Sequence, residues 1–312
     1  MAAYLARRLL FAVFLVFAVS SASLVLVHLA PGDYAVGALG LRTSPEAMAQ
    51  LRVRYGLDRS IGVQYRTWLW QAARFDFGRS LTYDRPVIEL VPERAANTAV
   101  LAVTALFLAT LAGLPLGVMT ATRRGGMLPG AVRAASVLLL SMPPLLTSLL
   151  LVFLAARTGW FPVGGMSSIG GGAWDRVHHM VVPVLALALP LSAMFERLQA
   201  QAMAEVVGQP YVLATLARGV PRSRVVWRDA LKAALRPVAS VYGLVVGTLL
   251  SGSFAVEIIT AWPGLGSLML DALRARDVYL VAGCAAAGSI FLAAGTLLSD
   301  AALALVDPRV SE

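Results

Sequence analysis

The sequence is poor in charged residues, in cysteine and in histidine. Charged side chains make up 14% of its 312 residues and hydrophobic side chains 58%, whereas a soluble domain carries about 25% and 45–50%. The one cysteine, Cys284, stands in an apolar run and excludes an internal disulfide. The three histidines and this cysteine have no metal-ligand spacing. The composition therefore excludes an ordinary soluble domain and indicates a membrane protein.

The sequence also lacks motifs typical of a catalytic, nucleotide-binding or metal-binding site. Gly170-Gly171-Gly172 is not followed by the Lys-Ser/Thr of a phosphate-binding loop, and we interpret it as a flexible external turn. His178 and His179 fall at the edge of an apolar run, where an interfacial pair is favoured over catalysis or nickel ligation. The sequence therefore predicts no enzyme activity, no metal and no cofactor on the chain itself.

Basic residues outnumber acidic ones and give a net charge of +9, although Lys232 is the only lysine. The arginines lie between apolar runs rather than along one stripe, which favours contact with membrane lipid over a nucleic-acid partner.

Six stretches contain no Asp, Glu, Lys or Arg, and each is 19–28 residues long. They are Leu9–Gly32, Ala95–Thr122, Ala134–Ala156, Val177–Phe195, Pro237–Val256 and Val278–Ser299. About 20 helical residues cross the hydrocarbon core of a membrane, so the sequence predicts six transmembrane helices. The first stretch is longer than the 7–15 apolar residues of a signal peptide, and we interpret it as the first span.

The distribution of basic residues predicts the orientation of the spans. The segments 1–8, 123–133, 196–236 and 300–312 together hold 13 basic residues, whereas the short loops 157–176 and 257–277 hold four. Basic loops favour the cytoplasmic side, so both termini are predicted to be cytoplasmic. The chain then divides into an N-terminus with the first span (1–32), an external segment (33–94) and a transmembrane core (95–312) with a cytoplasmic loop at 196–236.

The external segment is predicted to be mainly helical. Ser44-Pro45-Glu46 has the N-cap hydroxyl, first-turn proline and acidic residue of a helix start, and Gly56 is a stop. A second amphipathic stretch from Ile61 to Arg74 is rich in Trp and Tyr, which is typical both of the membrane interface and of a packed minidomain above the spans.

Prolines interrupt two of the runs. Pro143-Pro144 lies inside the third, and Pro183 and Pro190 lie in the fourth. They indicate either kinked helices around a pathway or the ordinary tolerance of membrane helices for proline.

The loop Glu196–Arg236 is longer than a connection requires. At its centre, Gln209 to Gly219 combine a proline at the first helical turn, helix-compatible residues and a stopping glycine. The sequence predicts a short, separately capped helix that either binds a soluble partner or lies on the lipid surface.

This loop resembles the coupling ("EAA") motif of ABC-importer permeases in the dipeptide, oligopeptide and nickel group. The residues that carry the resemblance are Tyr211-Val212-x-Ala214-x-x-Ala217-Arg218-Gly219 and Ala230-Leu231-Lys232-x-Ala234-Leu235-x-Pro237. Further signatures of the group are Leu29-Ala30-Pro31-Gly32-Asp33, Tyr55-Gly56-Leu57-Asp58, Asp76-Phe77-Gly78-Arg79-Ser80, Trp262-Pro263-Gly264-Leu265-Gly266, Arg276-Asp277 and Asp307-Pro308-Arg309. Their order and the long external segment resemble the B-type subunit in particular.

The resemblance implies the type I importer permease fold in a bacterial inner membrane. It also implies a second homologous permease, two cytoplasmic ATPases that bind ATP and magnesium, and an extracytoplasmic substrate-binding protein. The residues expected to contact the ATPase are Pro210, Tyr211, Leu213, Ala214, Ala217, Arg218 and Gly219. The turn of Trp262, Pro263, Gly264, Leu265 and Gly266 either gates the outer mouth, contacts the binding protein or is a structural loop.

Three residues depart from the group's pattern. An acidic residue is usual at Pro210, a basic one at Leu213 and a lysine at Arg218. Leu213 removes a possible salt bridge to the ATPase, whereas Arg218 keeps the charge of lysine with a different geometry. Peptides are the leading substrate class, with nickel, opines and sugars open. The alternative is an ion-coupled transporter or channel, which the scarcity of charge within the runs disfavours.

Overall fold

The protein is all-helical over the residues that the computed structural model describes, which are 2–29, 34–35, 45–55, 57–123, 125–168 and 170–306. The helices are α1 (Ala2–Leu29), α2 (Pro45–Tyr55), α3 (Ile61–Ala72), α4 (Val87–Thr122), α5 (Met127–Leu140), α6 (Pro144–Thr158), α7 (Ala173–Val207), α8 (Pro210–Ala217), α9 (Arg236–Ile259), α10 (Leu265–Ala275) and α11 (Val278–Val306). Three short helical turns over 222–234, the middle one a π-helix, form a connector between α8 and α9. Within these ranges the only strand-like pairing is a single bridge between Arg79 and Pro86.

Five helices in the described part of the chain are long and apolar enough to cross a membrane. They are Arg7–Leu29 of α1, α4, α7, α9 and Val278–Leu297 of α11. The pair α5 and α6 meets the same criteria jointly and is bent by 109° at the break between its members. Counting that pair as one span gives the six that the sequence predicts.

The third predicted run, Ala134–Ala156, is not one continuous helix. Pro144 has no amide hydrogen and restricts the residue before it to extended conformations. Pro143 accordingly has φ −65° and ψ 151°, and α6 begins at Pro144. The proline pair therefore breaks the run instead of merely kinking it.

The fourth predicted run extends well beyond Phe195. Helix α7 has 35 residues, contains Pro183 and Pro190, and continues through Glu196 to Val207. Glu196 is 2% exposed, and the hydroxyl of Thr120 donates a hydrogen bond of 2.5 Å to its carboxylate. Glutamate is a good helix former, and this partner allows it to be buried. The predicted loop at 196–236 is therefore helical in its first part.

The chain folds into two compact units. One comprises Met1–Ala99 with Pro263–Ala293, and the other comprises Val100–Trp262 with Ala294–Glu312. This division follows packing within the chain. The predicted division at residues 32 and 94 concerns membrane sidedness and stays a prediction.

In the first unit helix α3 packs against α1. The predicted helices at 45–55 and 61–74 are present as α2 and α3, whereas Ser44, Gly56, Ala30–Asp33 and the Asp307-Pro308-Arg309 signature lie outside the described residues. The indole of Trp68 is fully buried in a cluster with Leu24, Ala72 and Ala282. Trp70 is 63% exposed, so one face of α3 packs as a minidomain and the other carries an aromatic suited to an interface.

The second unit is built around a close crossing of α4 with α7. A Cβ atom on Gly113 would lie 2.6 Å from the Ser192 carbonyl oxygen, and one on Gly117 would lie 2.6 Å from that of Glu196. Two small residues four apart allow helix backbones to approach in this way. The core beside the crossing includes Phe195 and its ring partner Tyr242, whose centroids are 5.1 Å apart.

We expect Gly117→Ala to destabilise the protein, because its methyl group has no room against α7. Overpacking of this kind costs about 1–3 kcal/mol of unfolding free energy. The measurement is thermal unfolding of the detergent-solubilised protein. The matched control is Gly288→Ala in α11, whose added methyl would meet nothing within 4 Å and which should be neutral or mildly stabilising. Equal midpoints for the two variants would contradict the close crossing.

Candidate functional site

The predicted short helix of the 196–236 loop is α8, and its ends form as expected. Gln209 is extended at φ −72° and ψ 144°, and Pro210 is the first helical residue. Beyond Ala217, the last residue of the helix, the chain turns at Gly219. Its φ is +84°, which residues other than glycine rarely adopt. The helix is therefore capped independently of α7.

Helix α8 has one buried anchor and an otherwise open surface. Val212 is 1% exposed, and α8 packs against the π-helical turn of the connector and against α7. All seven predicted coupling residues are exposed: Pro210, Tyr211, Leu213, Ala214, Ala217, Arg218 and Gly219. The arrangement leaves these side chains free to contact another molecule.

The second half of the motif, in the connector, has a packing role. Ala230 and Ala234 are fully buried in a cluster with Val226 of the connector and with Ala202 and Met203 of α7. Small side chains at both alanines let the connector lie directly on α7. Lys232, between them, is exposed, so the connector combines a packed face with a charged one.

Two arginines tie this region to the end of α4. The Arg222 guanidinium donates to the carbonyl of Thr122 at 3.1 Å, and that of Arg133 donates to the carbonyl of Thr120 at 2.6 Å. The last carbonyls of a helix lack partners within the helix and carry partial negative charge. The connector, α5 and α4 are thus linked beside the region that carries α8.

Two carboxylates that border the apolar runs are buried. Glu257 is fully buried in the last turn of α9, and Glu196 is buried within α7. Glu196 also lines a recess of about 300 Å³ with Arg133 and Arg197. Scarcity of charge in the runs is therefore a weaker argument against ion coupling than the sequence suggested.

The turn at 262–266 is mostly inside the protein. Trp262 is 1% exposed and belongs to the core of the second unit, while Gly264, Leu265 and Gly266 are buried in the first. Two residues of α4 fix the turn: Asn97 donates to the Pro263 carbonyl at 2.8 Å, and the Leu265 amide donates to the Thr98 hydroxyl oxygen at 2.7 Å. The burial favours the structural-loop interpretation, and the gating role stays a prediction.

One polar junction was missed, although the sequence contained its parts as separate signatures. Asp277 is fully buried before α11. Its carboxylate accepts hydrogen bonds from the Ser80 hydroxyl at 2.6 Å and the Thr82 amide at 3.0 Å. It also accepts one from the Leu280 amide at 3.1 Å, as a helix N-cap does. The Asp76–Ser80 and Arg276-Asp277 signatures are thus two sides of one contact, which spacing along the sequence could not reveal.

The histidines and the glycine run have structural surroundings. His178 Nε2 lies 3.1 Å from the Trp160 carbonyl, and His179 Nδ1 lies 2.9 Å from that of Asp175. Gly172 precedes α7, and the carboxylate of Asp175 in its first turn accepts a hydrogen bond from the Ser168 hydroxyl at 3.2 Å. Among the described residues, no group of three or more His, Cys, Asp or Glu side chains could hold a metal ion.

Comparison with known proteins identifies the family. The profile of the "Binding-protein-dependent transport system inner membrane component" matches residues 113–312, and the profile of its N-terminal region matches residues 1–102. The chain belongs to this family.

Characterised relatives align over nearly the whole chain. The oligopeptide transport system permease protein AppB of Bacillus subtilis is 32% identical, with 99% of each chain aligned. The dipeptide transport system permease protein DppB of Escherichia coli K12 is 33% identical, with 91% of each chain aligned. A probable peptide ABC transporter permease protein of Sinorhizobium fredii is 30% identical over 99% of each.

Family membership decides between the classes of function that the sequence left open. The protein is a multi-pass inner-membrane permease of a binding-protein-dependent transport system and not an enzyme. This membership, rather than the count of buried charges, rules against the ion-coupled alternative. The permease fold that the resemblance implies is confirmed, and the third of the six predicted spans is broken in two.

We expect Thr98→Val to destabilise the permease, because it leaves the buried Leu265 amide without its acceptor. An unsatisfied buried donor costs about 1–3 kcal/mol. Thr104→Val is the matched control in the same helix, since the Thr104 hydroxyl donates an exposed hydrogen bond to the Val100 carbonyl of its own helix. Thermal unfolding of both variants in detergent is the measurement, and a Thr98→Val midpoint no lower than that of the control would contradict the assignment.

Proposed function

We propose that this permease is one of two membrane subunits of an ATP-driven peptide importer and that α8 is its docking site for an ATPase. The observation that carries the docking assignment is the exposure of all seven coupling residues on a helix held by one buried anchor, Val212. Peptides are supported as cargo by the oligopeptide and dipeptide transport systems named for its relatives.

The proposed complex contains a second, homologous permease, two cytoplasmic ATPases and a substrate-binding protein. The two permeases form the translocation pathway between them. ATP and magnesium bind the ATPases, and this chain contributes no catalytic group. The binding protein delivers substrate to the external side, where the segment 33–94 lies.

Force from the ATPase is proposed to reach the spans through packed contacts. Movement of α8 displaces the connector, whose Ala230 and Ala234 lie on α7. Arg222 carries the same displacement to the end of α4 through the Thr122 carbonyl. Since α4 and α7 touch backbone to backbone at Gly113 and Gly117, the two spans respond together.

Substitutions at Gly219 test whether α8 docks the ATPase or has only a structural role. A Cβ atom there would meet nothing within 4 Å, but the backbone has φ +84°. We expect Gly219→Val to abolish ATP-driven peptide uptake into proteoliposomes, because a β-branched residue disfavours this conformation. Gly219→Asn should keep most of the uptake, because asparagine tolerates the left-handed region.

Membrane insertion and binding of the substrate-binding protein should be unchanged in both Gly219 variants. Wild-type uptake by Gly219→Val would contradict the docking role of α8. Equal loss in both variants would show that the conformation of the turn is not the cause.

The proposed orientation places α8 in the cytoplasm and the 76–86 loop outside. We expect a membrane-impermeant maleimide to label Asp84→Cys in intact spheroplasts but to label Leu213→Cys only after permeabilisation. Both positions are exposed, whereas the native Cys284 is 1% exposed and should give little background. Labelling of Leu213→Cys in intact spheroplasts would reverse the orientation.

A further inference from the structure

A recess beside α8 has not been assigned a role. One wall is α8 with Tyr211, Ala214, Thr215, Ala217 and Arg218, and the other is the connector with Arg228, Asp229 and Lys232. We call these eight residues the basic socket. Its volume of about 960 Å³ is large enough for a short protein segment and far larger than a single ion needs.

The socket has an excess of positive charge. Three of its side chains are cationic and one is anionic, and all four are exposed. Among the described residues no ion pair within 4.0 Å involves Arg218, Arg228, Asp229 or Lys232. Arg218 donates a hydrogen bond to the Thr215 hydroxyl at 3.1 Å, which is a neutral acceptor.

The charged side chains lie beside α8 and not on it. Residues 210–217, which are Pro-Tyr-Val-Leu-Ala-Thr-Leu-Ala, contain no charged side chain. An ionic contact with the ATPase must therefore come from groups beside α8, and the socket is where such groups converge. Its cations suit carboxylates, and guanidinium groups bind them in a bidentate geometry.

The shape of the socket favours a protein over a lipid surface. A basic region that binds anionic lipid places its cations on an open face with apolar side chains that enter the bilayer. Here the cations line a recess between two helical segments, and the small side chains Ala214 and Ala217 belong to its wall. Such a recess admits a protruding segment.

We propose that the basic socket receives an acidic protruding segment of the ATPase, so that docking is reciprocal. Helix α8 enters a groove of the ATPase, and carboxylates of the ATPase enter the space between α8 and the connector. The inference rests on the proposed docking role of α8 and adds the chemistry of the partner. Complementary charge at such a contact sets association rate and partner choice.

The test is the affinity of the permease pair in nanodiscs for the purified ATPase of its own transport system, measured at low and high salt. Arg228→Glu should weaken binding about tenfold or more at low salt, and the difference should shrink at high salt because screening weakens exposed charge pairs. Arg224→Glu is the matched control: the same charge change in the same connector, exposed, but outside the socket. It should change the affinity by less than about twofold.

Asp229→Asn removes the one anionic side chain of the socket and should therefore tighten binding to the ATPase. This variant distinguishes a lost ionic contact from a folding defect. A misfolded variant cannot produce that result. Equal weakening by Arg228→Glu and Arg224→Glu, or no tightening by Asp229→Asn, would overturn the socket. An effect of Arg228→Glu that appears without ATPase, as reduced binding to anionic liposomes, would assign the socket to lipid instead.

Failure of this inference is distinguishable from failure of the proposed function. If Arg228→Glu binds like the wild type while Gly219→Val loses uptake, the socket is wrong and the docking of α8 stands. If Gly219→Val also retains uptake, the docking role itself fails.

Discussion

The close crossing of α4 with α7 is the constraint on which the second unit depends. Gly113 and Gly117 bring the two backbones together, and only then can the Thr120 hydroxyl reach the Glu196 carboxylate at 2.5 Å. That bond allows an acid to be buried, and α7 continues past it to Val207. The connector packs on this extension of α7. The position of α8 therefore depends on the two glycines, which have no side chain at the crossing.

The motif that resembles the coupling motif contains both buried and exposed alanines. Its alanines in the connector are buried and pack against α7, whereas those of α8 are exposed and offer a surface that a partner can approach closely. The same residue type at helical spacing therefore has two roles, and burial distinguishes them. Val212 belongs to the quoted motif but was not expected at the site, and it alone anchors α8.

The sequence predicted the helices well because the length of an apolar run and the chemistry of a helix end are local properties. Pro45, Pro210 and Gly219 lie where the caps require them. It failed where a distant partner changes the meaning of a residue. Glu196 stands at the end of an apolar run, and its burial could not be predicted because its partner is Thr120, 76 positions away. The sequence left three interpretations open for the 262–266 turn, because nothing local reveals Asn97 and Thr98 as its partners.

Asp277 in the first unit and Glu196 in the second are both buried carboxylates that accept a hydrogen bond from a hydroxyl group far along the chain, and the two differ in how many donors they have. Asp277 accepts from Ser80, Thr82 and the Leu280 amide, and a buried charge with several donors resists rearrangement. Glu196 accepts from Thr120 and borders a recess shared with Arg133 and Arg197, where alternative cationic partners and space are at hand. The junction next to the connector can therefore exchange partners at lower cost than the Asp277 junction.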